Sequence, residues 1–355
     1  MITGDLDTEL ARSLTSLAAD GWLPADSQFT PGGTWRPGPG GDPAAYSTSV
    51  TFEIARLSGK SPTDLAAALA SSLRALAWID SAESTGEGYL TVTVTPQALA
   101  QSAVRMAAAG ASCASSSILR GSTALVTPWP DLAAATGWEQ AWRDQADTMT
   151  GRLAQAAGAT VTITSEWERG RDRSRRARDG SSPVQAAVAY LGASSVRYRL
   201  ARTLPGNVLQ LEQLSQASAR DTDPLYVVQQ AHAEAASNLR WAADLDIEPR
   251  DPGDRLASLL DTPSERALLG LLSFLPVRVA AAARRRRPDE MPRYLEDVSA
   301  AWMACRQASP ALPFGGHAAP ADPESAAARL LLAEAVRVVL AAGLALTGIT
   351  ASDRL

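Results

Sequence analysis

The chain has 355 residues, enough for two or three domains, each with its own core. Apolar residues make up 46% and charged residues 20%, which excludes a disordered or fibrous chain. The net charge of −5 weighs against a nonspecific RNA binder, although local basic patches still permit RNA contact. Alanine and leucine carry much of the apolar share and aromatic residues are only 5%, so helix is favoured over all-β structure. No basic start followed by an apolar core marks a secretory leader, and no uninterrupted apolar run reaches about 18 residues. Cys113 and Cys305 form neither a disulfide framework nor a zinc site. The expectation is a cytoplasmic protein with no metal, no cofactor and no membrane or DNA partner.

The first segment, residues 1–110, opens with a helix predicted from Asp7 to Ala19, where Leu10, Leu14 and Leu17 recur at helical spacing. Pro31-Gly32-Gly33 through Pro43 reads as a loop, and Tyr46-Ser47-Thr48-Ser49-Val50 leads into a helical stretch ending near Leu57. Ser61-Pro62-Thr63-Asp64 opens the next helix: Ser61 as cap, Pro62 in the first turn, Asp64 at the positive end of the dipole. Leu65, Leu69, Leu73 and Leu76 form its apolar face. Gly86-Glu87-Gly88 then turns the chain into the alternating strand Tyr89–Val94.

The second segment, residues 111–185, contains one βα unit and a loop with six arginines within ten positions: Arg169, Arg171, Arg173, Arg175, Arg176 and Arg178. With Asp172 and Asp179 interspersed, the arginines read either as a phosphate-contacting element or as a solvated connection. A nucleotide-binding domain would want a glycine-rich phosphate loop after a strand, and Gly121-Ser122-Thr123 is too weak for one. The third segment, residues 186–355, is nearly all helix. Thr262-Pro263-Ser264-Glu265 is a capping-box pattern ahead of Leu268, Leu269, Leu271 and Leu272. Asp322-Pro323-Glu324 starts a long helix that Gly343 is suited to end. Arg284, Arg285, Arg286 and Arg287 stand at a helix C-terminus before Pro288, where they suit the dipole or serve as a phosphate clamp.

Asp223-Pro224-Leu225-Tyr226-Val227-Val228-Gln229-Gln230-Ala231-His232-Ala233 resembles the N-P-x-Y-Y-V-Q-Y-A-H-A segment of arginyl-tRNA synthetases. Gly192-Ala193-Ser194-Ser195-Val196-Arg197-Tyr198 resembles that family's G-A-D-A-L-R-Y signature, with Ser194 in place of an aspartate that would cap or pair with Arg197. The tail from Arg329-Leu330 through Leu346-Thr347-Gly348-Ile349 is similar to the family's closing pattern. Tyr46, Thr48, Gly59-Lys60, Pro62, Ala66 and Gly88 fall on positions of its N-terminal additional domain, which contacts the D-loop corner of tRNA. Ala146–Val161 resembles the helix that follows the H-x-G-H turn, which places Thr136-Gly137-Trp138-Glu139 where the turn would be. The chain holds one lysine, Lys60, and two histidines, His232 and His317, none placed for the family's ATP-handling motifs.

The resemblance implies a mainly α fold. A small N-terminal α+β domain (1–110) precedes a truncated α/β catalytic remnant (111–185) and a helical bundle of anticodon-binding type (186–355), the last expected to fold alone. It also implies a non-catalytic protein that binds tRNA, an arginine acceptor or its arginylated form. Two alternatives are a protein-interaction module, whose partner is a true synthetase, and an enzyme that uses aminoacyl-tRNA. No catalytic residue is assigned. The tRNA-binding candidates are the six arginines from Arg169 to Arg178, Arg197, Tyr226, Gln229, Arg284 to Arg287 and Arg329. His232, among small residues, reads as a packed, hydrogen-bonded histidine.

Overall fold

In the computed structural model, which describes residues 2–23, 34–127, 132, 135–163, 182–204, 206–207, 223–313 and 322–355, helix dominates. The elements are α1 (Ile2–Ala19), β1 (Arg36–Pro37), β2 (Ala45–Thr48), α2 (Val50–Ser58), α3 (Pro62–Leu73), β3 (Ile79–Thr85), β4 (Tyr89–Val94) and α4 (Pro96–Ala109). They continue with β5 (Thr123–Val126), α5 (Trp138–Ala156), β6 (Thr160–Ile163), α6 (Pro183–Leu191), α7 (Ala193–Arg202) and α8 (Pro224–Asp244). Short α9 (Leu256–Leu259) precedes α10 (Pro263–Ser273), α11 (Leu275–Arg285), α12 (Glu290–Ala308) and α13 (Pro323–Thr347). The chain divides into one unit of Met1–Ala109, Asn238–Val277 and Ala304–Ala335, and another of Gly110–Ser237, Arg278–Met303 and Val336–Leu355.

In the first unit, β1, β2, β4 and β3 lie side by side in that order as an antiparallel sheet. The expected strand at Tyr89–Val94 is central: Val92 pairs with Tyr46 on one side and Ala82 on the other. Helix α1 begins five residues earlier than its leucine spacing suggested, because Ile2 and Leu6 extend the same buried face as Leu10, Leu14 and Leu17. Trp35 is buried beside α1 and donates its ring N–H to Asp7 Oδ1 at 2.9 Å. Ser61 holds the N-cap position of α3 with Pro62 behind it, but its hydroxyl makes no capping bond. Its extended backbone and Pro62 at the first helical position mark the start.

Helix α10 carries the capping box read from the sequence: Glu265 NH reaches Thr262 Oγ1, and Thr262 NH reaches Glu265 Oε2 at 3.0 Å. Tyr46 on β2 shares a 2.7 Å hydrogen bond with Ser273 at the other end of α10, and Thr3 Oγ1 donates to the Ser273 carbonyl at 3.4 Å. Burial drives the Tyr46 phenol well above its ordinary pKa, so the hydroxyl stays protonated.

The second unit contains a β5–α5–β6 crossover with its two strands parallel, from Thr123 opposite Thr160 to Val126 opposite Ile163. Gly151 of α5 lies on Val126 of the strand beneath. A cluster of Ala135, Trp138, Ala141, Val184, Ala187, Val196 and Leu200 joins α5 to α6 and α7. Gly192, at φ +83, separates α6 from α7.

The sequence suggested that Gly343 ends the last helix. Instead, α13 runs through it to Thr347 and stops at Gly348, at φ +85. Gly343 leaves room for Leu295, whose Cδ2 would lie 2.3 Å from an added Cβ. By length and hydropathy α13 is apolar enough to cross a membrane, but 72% of its apolar window is buried inside the protein, as in a core helix.

Gly270 sits mid-helix in α10, where alanine ordinarily stabilises by about 1 kcal/mol. Here an added Cβ would meet the Pro43 carbonyl and Cβ at 2.8 Å. Gly270→Ala should therefore destabilise by about 1–3 kcal/mol in urea unfolding. A stabilised variant would show that Pro43 does not pack as described.

Candidate nucleic-acid interface

Strand β4 alternates, so Leu90, Val92 and Val94 are buried while Tyr89 turns outward with 47% of its surface exposed. Phe52 of α2 meets it edge-on, with ring centroids 5.0 Å apart and planes at 65°. Tyr89 is shared by two adjoining clefts of about 420 and 410 Å³. Arg36, Ser47, Ser49 and Thr85 line the first, and Thr34, Phe52 and Glu53 the second. An exposed ring braced by a second ring, with a cation and hydroxyls around it, suits an unstacked base with its phosphate. In the sequence Tyr89 stands out only as the first residue of the alternating strand, and neither Arg36 nor Phe52 is a candidate. The available signal was position: Tyr89 opens the alternating strand on its outward phase. In the same unit, Lys60 Nζ lies 5.6 Å from the centre of the Trp22 ring.

The described residues among those nominated from sequence belong to different elements. Arg169, Arg171, Arg173, Arg175, Arg176 and Arg178 lie outside the described residues, as does His317. Arg285 pairs with Glu290 at 3.0 Å, Arg286 with Asp147 at 3.3 Å and Arg287 with Asp289 through bonds of 2.7 and 2.9 Å. Arg286 also donates to the Leu125 carbonyl at 3.2 Å; Arg284 is exposed at the end of α11. Three of these four arginines thus spend charge on neighbouring carboxylates. Arg329 bonds Glu265 Oε1 at 2.8 Å and the Pro310 carbonyl at 3.2 Å. Because Glu265 is fully buried, this arginine serves the core of the first unit. Tyr226 and Gln229 are half-buried on α8.

Arg197 also turns inward. With no aspartate at position 194, its guanidinium donates to the Gly348 carbonyl at 3.3 Å. Tyr198 beside it is buried and donates to the Pro292 carbonyl at 3.0 Å. His232 is 1% exposed, with Nδ1 at 3.1 Å from the Ser352 carbonyl and Nε2 3.9 Å from Asp353. Gln145 donates to the Thr347 carbonyl at 2.9 Å.

Thr136-Gly137-Trp138-Glu139 forms the start of α5, with Gly137 extended at the N-cap. Thr136 NH and Oγ1 both donate to Gln140 Oε1, at 3.2 and 2.8 Å, and Trp138 is buried. No group of three or more His, Cys, Asp or Glu is placed to hold a metal among the described residues. Both cysteines are buried free thiols, each pushed up to about 12 by that burial.

Residues 40–94 match the family model of the arginyl tRNA synthetase N terminal domain, and residues 228–355 that of the DALR anticodon binding domain. The chain belongs to the arginyl-tRNA synthetase family. It is 34% identical over 171 residues to an arginine–tRNA ligase of Micrococcus luteus, an alignment spanning 47% of this chain. The chain covers only 30% of that ligase's own length. The solved arginyl-tRNA synthetase of Thermus thermophilus shares its fold, with a TM-score of 0.60 at 15% identity over 100% of both chains. Tyr89 and Phe52 lie within the matched N-terminal domain, and Arg329 and Gly348 within the matched anticodon binding domain.

Asp144 on α5 yields a pH test. Burial, then the charge of Asp147, raises its pKa to about 6, above the carboxylate range of the unfolded chain. The folded protein therefore holds this proton more tightly, so stability falls as pH rises from about 4 through 6. Asp144→Asn should match the parent melting temperature near pH 4 and exceed it at pH 7.5. Equal melting temperatures at both pH values would contradict the assignment.

Proposed function

We propose that this chain is a non-catalytic, cytoplasmic member of its family that binds tRNA, either an arginine acceptor or the arginylated form, and neither a membrane nor DNA. The carrying observation is the pairing of an anticodon-binding-domain match with an exposed Tyr89–Phe52 platform in a matched N-terminal domain. In this reading residues 1–110 and 186–355 are the tRNA-contacting domains, and 111–185 is the remnant of a catalytic one. The Arg169–Arg178 run is the principal phosphate-contacting element. The inward bonds of Arg197 and Arg329 and the ion pairs of Arg285–Arg287 make them secondary. Thr136-Gly137-Trp138-Glu139 supports the non-catalytic part, because none of these side chains supplies the cationic or imidazole donors that stabilise a triphosphate. Loss of one such donor costs about 10²–10³ in rate.

Labelled tRNA titrated over a salt series tests the binding. Tyr89→Ala should weaken affinity about tenfold, the scale of one base–aromatic stack. Neutralising the six arginines should flatten the log–log salt slope by up to about five units. Unchanged affinity and slope in both variants would refute the assignment of these contacts. Arginine-dependent ATP–pyrophosphate exchange by the pure protein should be absent, and a measurable rate would refute the non-catalytic reading. A protein-interaction module is the second reading, favoured by Trp241 and Leu245, exposed by 47% and 57%. Failure of every tRNA to bind at low salt would put it first.

A further inference from the structure

A cleft in the second unit, remote in sequence from Tyr89, has a composition that the binding reading does not use. It measures about 610 Å³ and is bounded by α5, the 3-10 turn Gly110–Ala114 and the C-terminal half of α13. Its walls are small and apolar, including Ala114, Ala156, Ala341 and Ala345, and its polar side chains are Arg152, Arg337, Gln155 and Ser115. Every polar side chain is therefore a cation or a neutral group with a hydrogen to donate; none is acidic.

Arg152 is half-buried. Its guanidinium lies so close to Gly348 that Nη1 would be 2.2 Å from a Cβ there. The charge acting on it is Arg197, of the same sign, and desolvation together with that repulsion lowers its pKa. Arg197 is itself committed to the Gly348 carbonyl at 3.3 Å. Arg152 is therefore a partly desolvated cation facing another cation at the edge of an open cleft. Such a cation gains from an anion.

We propose that this cleft binds a phosphoryl group, held by Arg152 from α5 and Arg337 from α13. A planar carboxylate presents its oxygens to one guanidinium fork, whereas a tetrahedral phosphate offers oxygens toward both walls at once. The volume falls within the range of small-ligand sites, and the alanine walls leave flat apolar surface for a ribose or base. The phosphoryl group has two sources, a free nucleotide or a nucleotide of bound RNA. The site does not depend on the tRNA reading above, because a free nucleotide would fill it equally well.

The test uses the full-length protein at constant ionic strength, with sodium acetate as the control anion. Inorganic phosphate and adenosine 5′-monophosphate are titrated calorimetrically, and labelled tRNA is titrated with and without the monophosphate. The variants are Arg152→Gln, Arg337→Gln and Ala345→Glu; Ala345 is exposed on α13, so its substitution places a carboxylate in the cleft without disturbing the core. At least one phosphate-bearing ligand should bind, and each variant should weaken it by about tenfold or more, the scale of a charge-assisted hydrogen bond. Acetate should not substitute for it. In phosphate-free buffer Arg152→Gln should melt no lower than the parent, since it removes an uncompensated cation. Competition between the monophosphate and tRNA assigns the site to an RNA phosphate, and binding without competition assigns it to a free nucleotide. If no phosphate-bearing ligand binds, or if the three variants bind as the parent does, the proposal is overturned. Weakened tRNA binding by Tyr89→Ala with monophosphate binding intact separates this site from the first.

Discussion

The last helix ends inside the protein, and its terminal carbonyls must find donors there. Each helix leaves such groups unpaired at its C-terminus, and burial without partners costs on the order of 1–3 kcal/mol apiece. Gln145 of α5 serves the Thr347 carbonyl at 2.9 Å, and Arg197 of α7 serves Gly348 at 3.3 Å. His232 of α8 meets the Ser352 carbonyl at 3.1 Å, just beyond the helix. Three helices converge on one chain end, so the packing of the second unit follows from where α13 stops. Gly348 fits that role twice: it adopts a positive φ, and it makes room for Arg152.

This constraint changes the meaning of the two family motifs that sequence alone picked out. Arg197 looks like a nucleic-acid contact when read as a letter in a synthetase signature, whereas His232 already reads as a packed, hydrogen-bonded residue. In space both are clamps on the C-terminal tail. The loss of aspartate at position 194 does not leave Arg197 without work, because a backbone carbonyl takes its hydrogen bond. Arg329 shows the same logic in the first unit, where it neutralises the buried Glu265 that also completes the capping box of α10. Arg285, Arg286, Arg287 and Arg329 thus direct their charge to carboxylates of the protein itself.

What was legible in the sequence was local. The Thr262–Glu265 box, the Tyr89–Val94 alternation and the Asp322-Pro323-Glu324 start each depend on neighbours within a few residues, and each was found as read. The errors came from partners distant in the chain. Gly343 looked like a terminator until Leu295 filled the space above it, and Arg284–Arg287 looked free until Asp147, Asp289 and Glu290 met three of them. Strand β3 escaped notice because Ile79–Thr85 mixes charged and small residues, and its strand character comes from pairing with β4. Phe52 and Arg36 were invisible as a site because only the fold brings them to Tyr89.

The central claim is that this synthetase-family fold holds tRNA through its N-terminal cleft. Ultraviolet cross-linking of the protein to its co-purifying RNA, followed by sequencing of the RNA and mass mapping of the cross-linked peptide, tests it directly. The account predicts tRNA enriched over ribosomal fragments, with cross-links on the peptide that carries Tyr89. RNA of random composition, or cross-links that avoid Arg36, Phe52 and Tyr89 altogether, would contradict it.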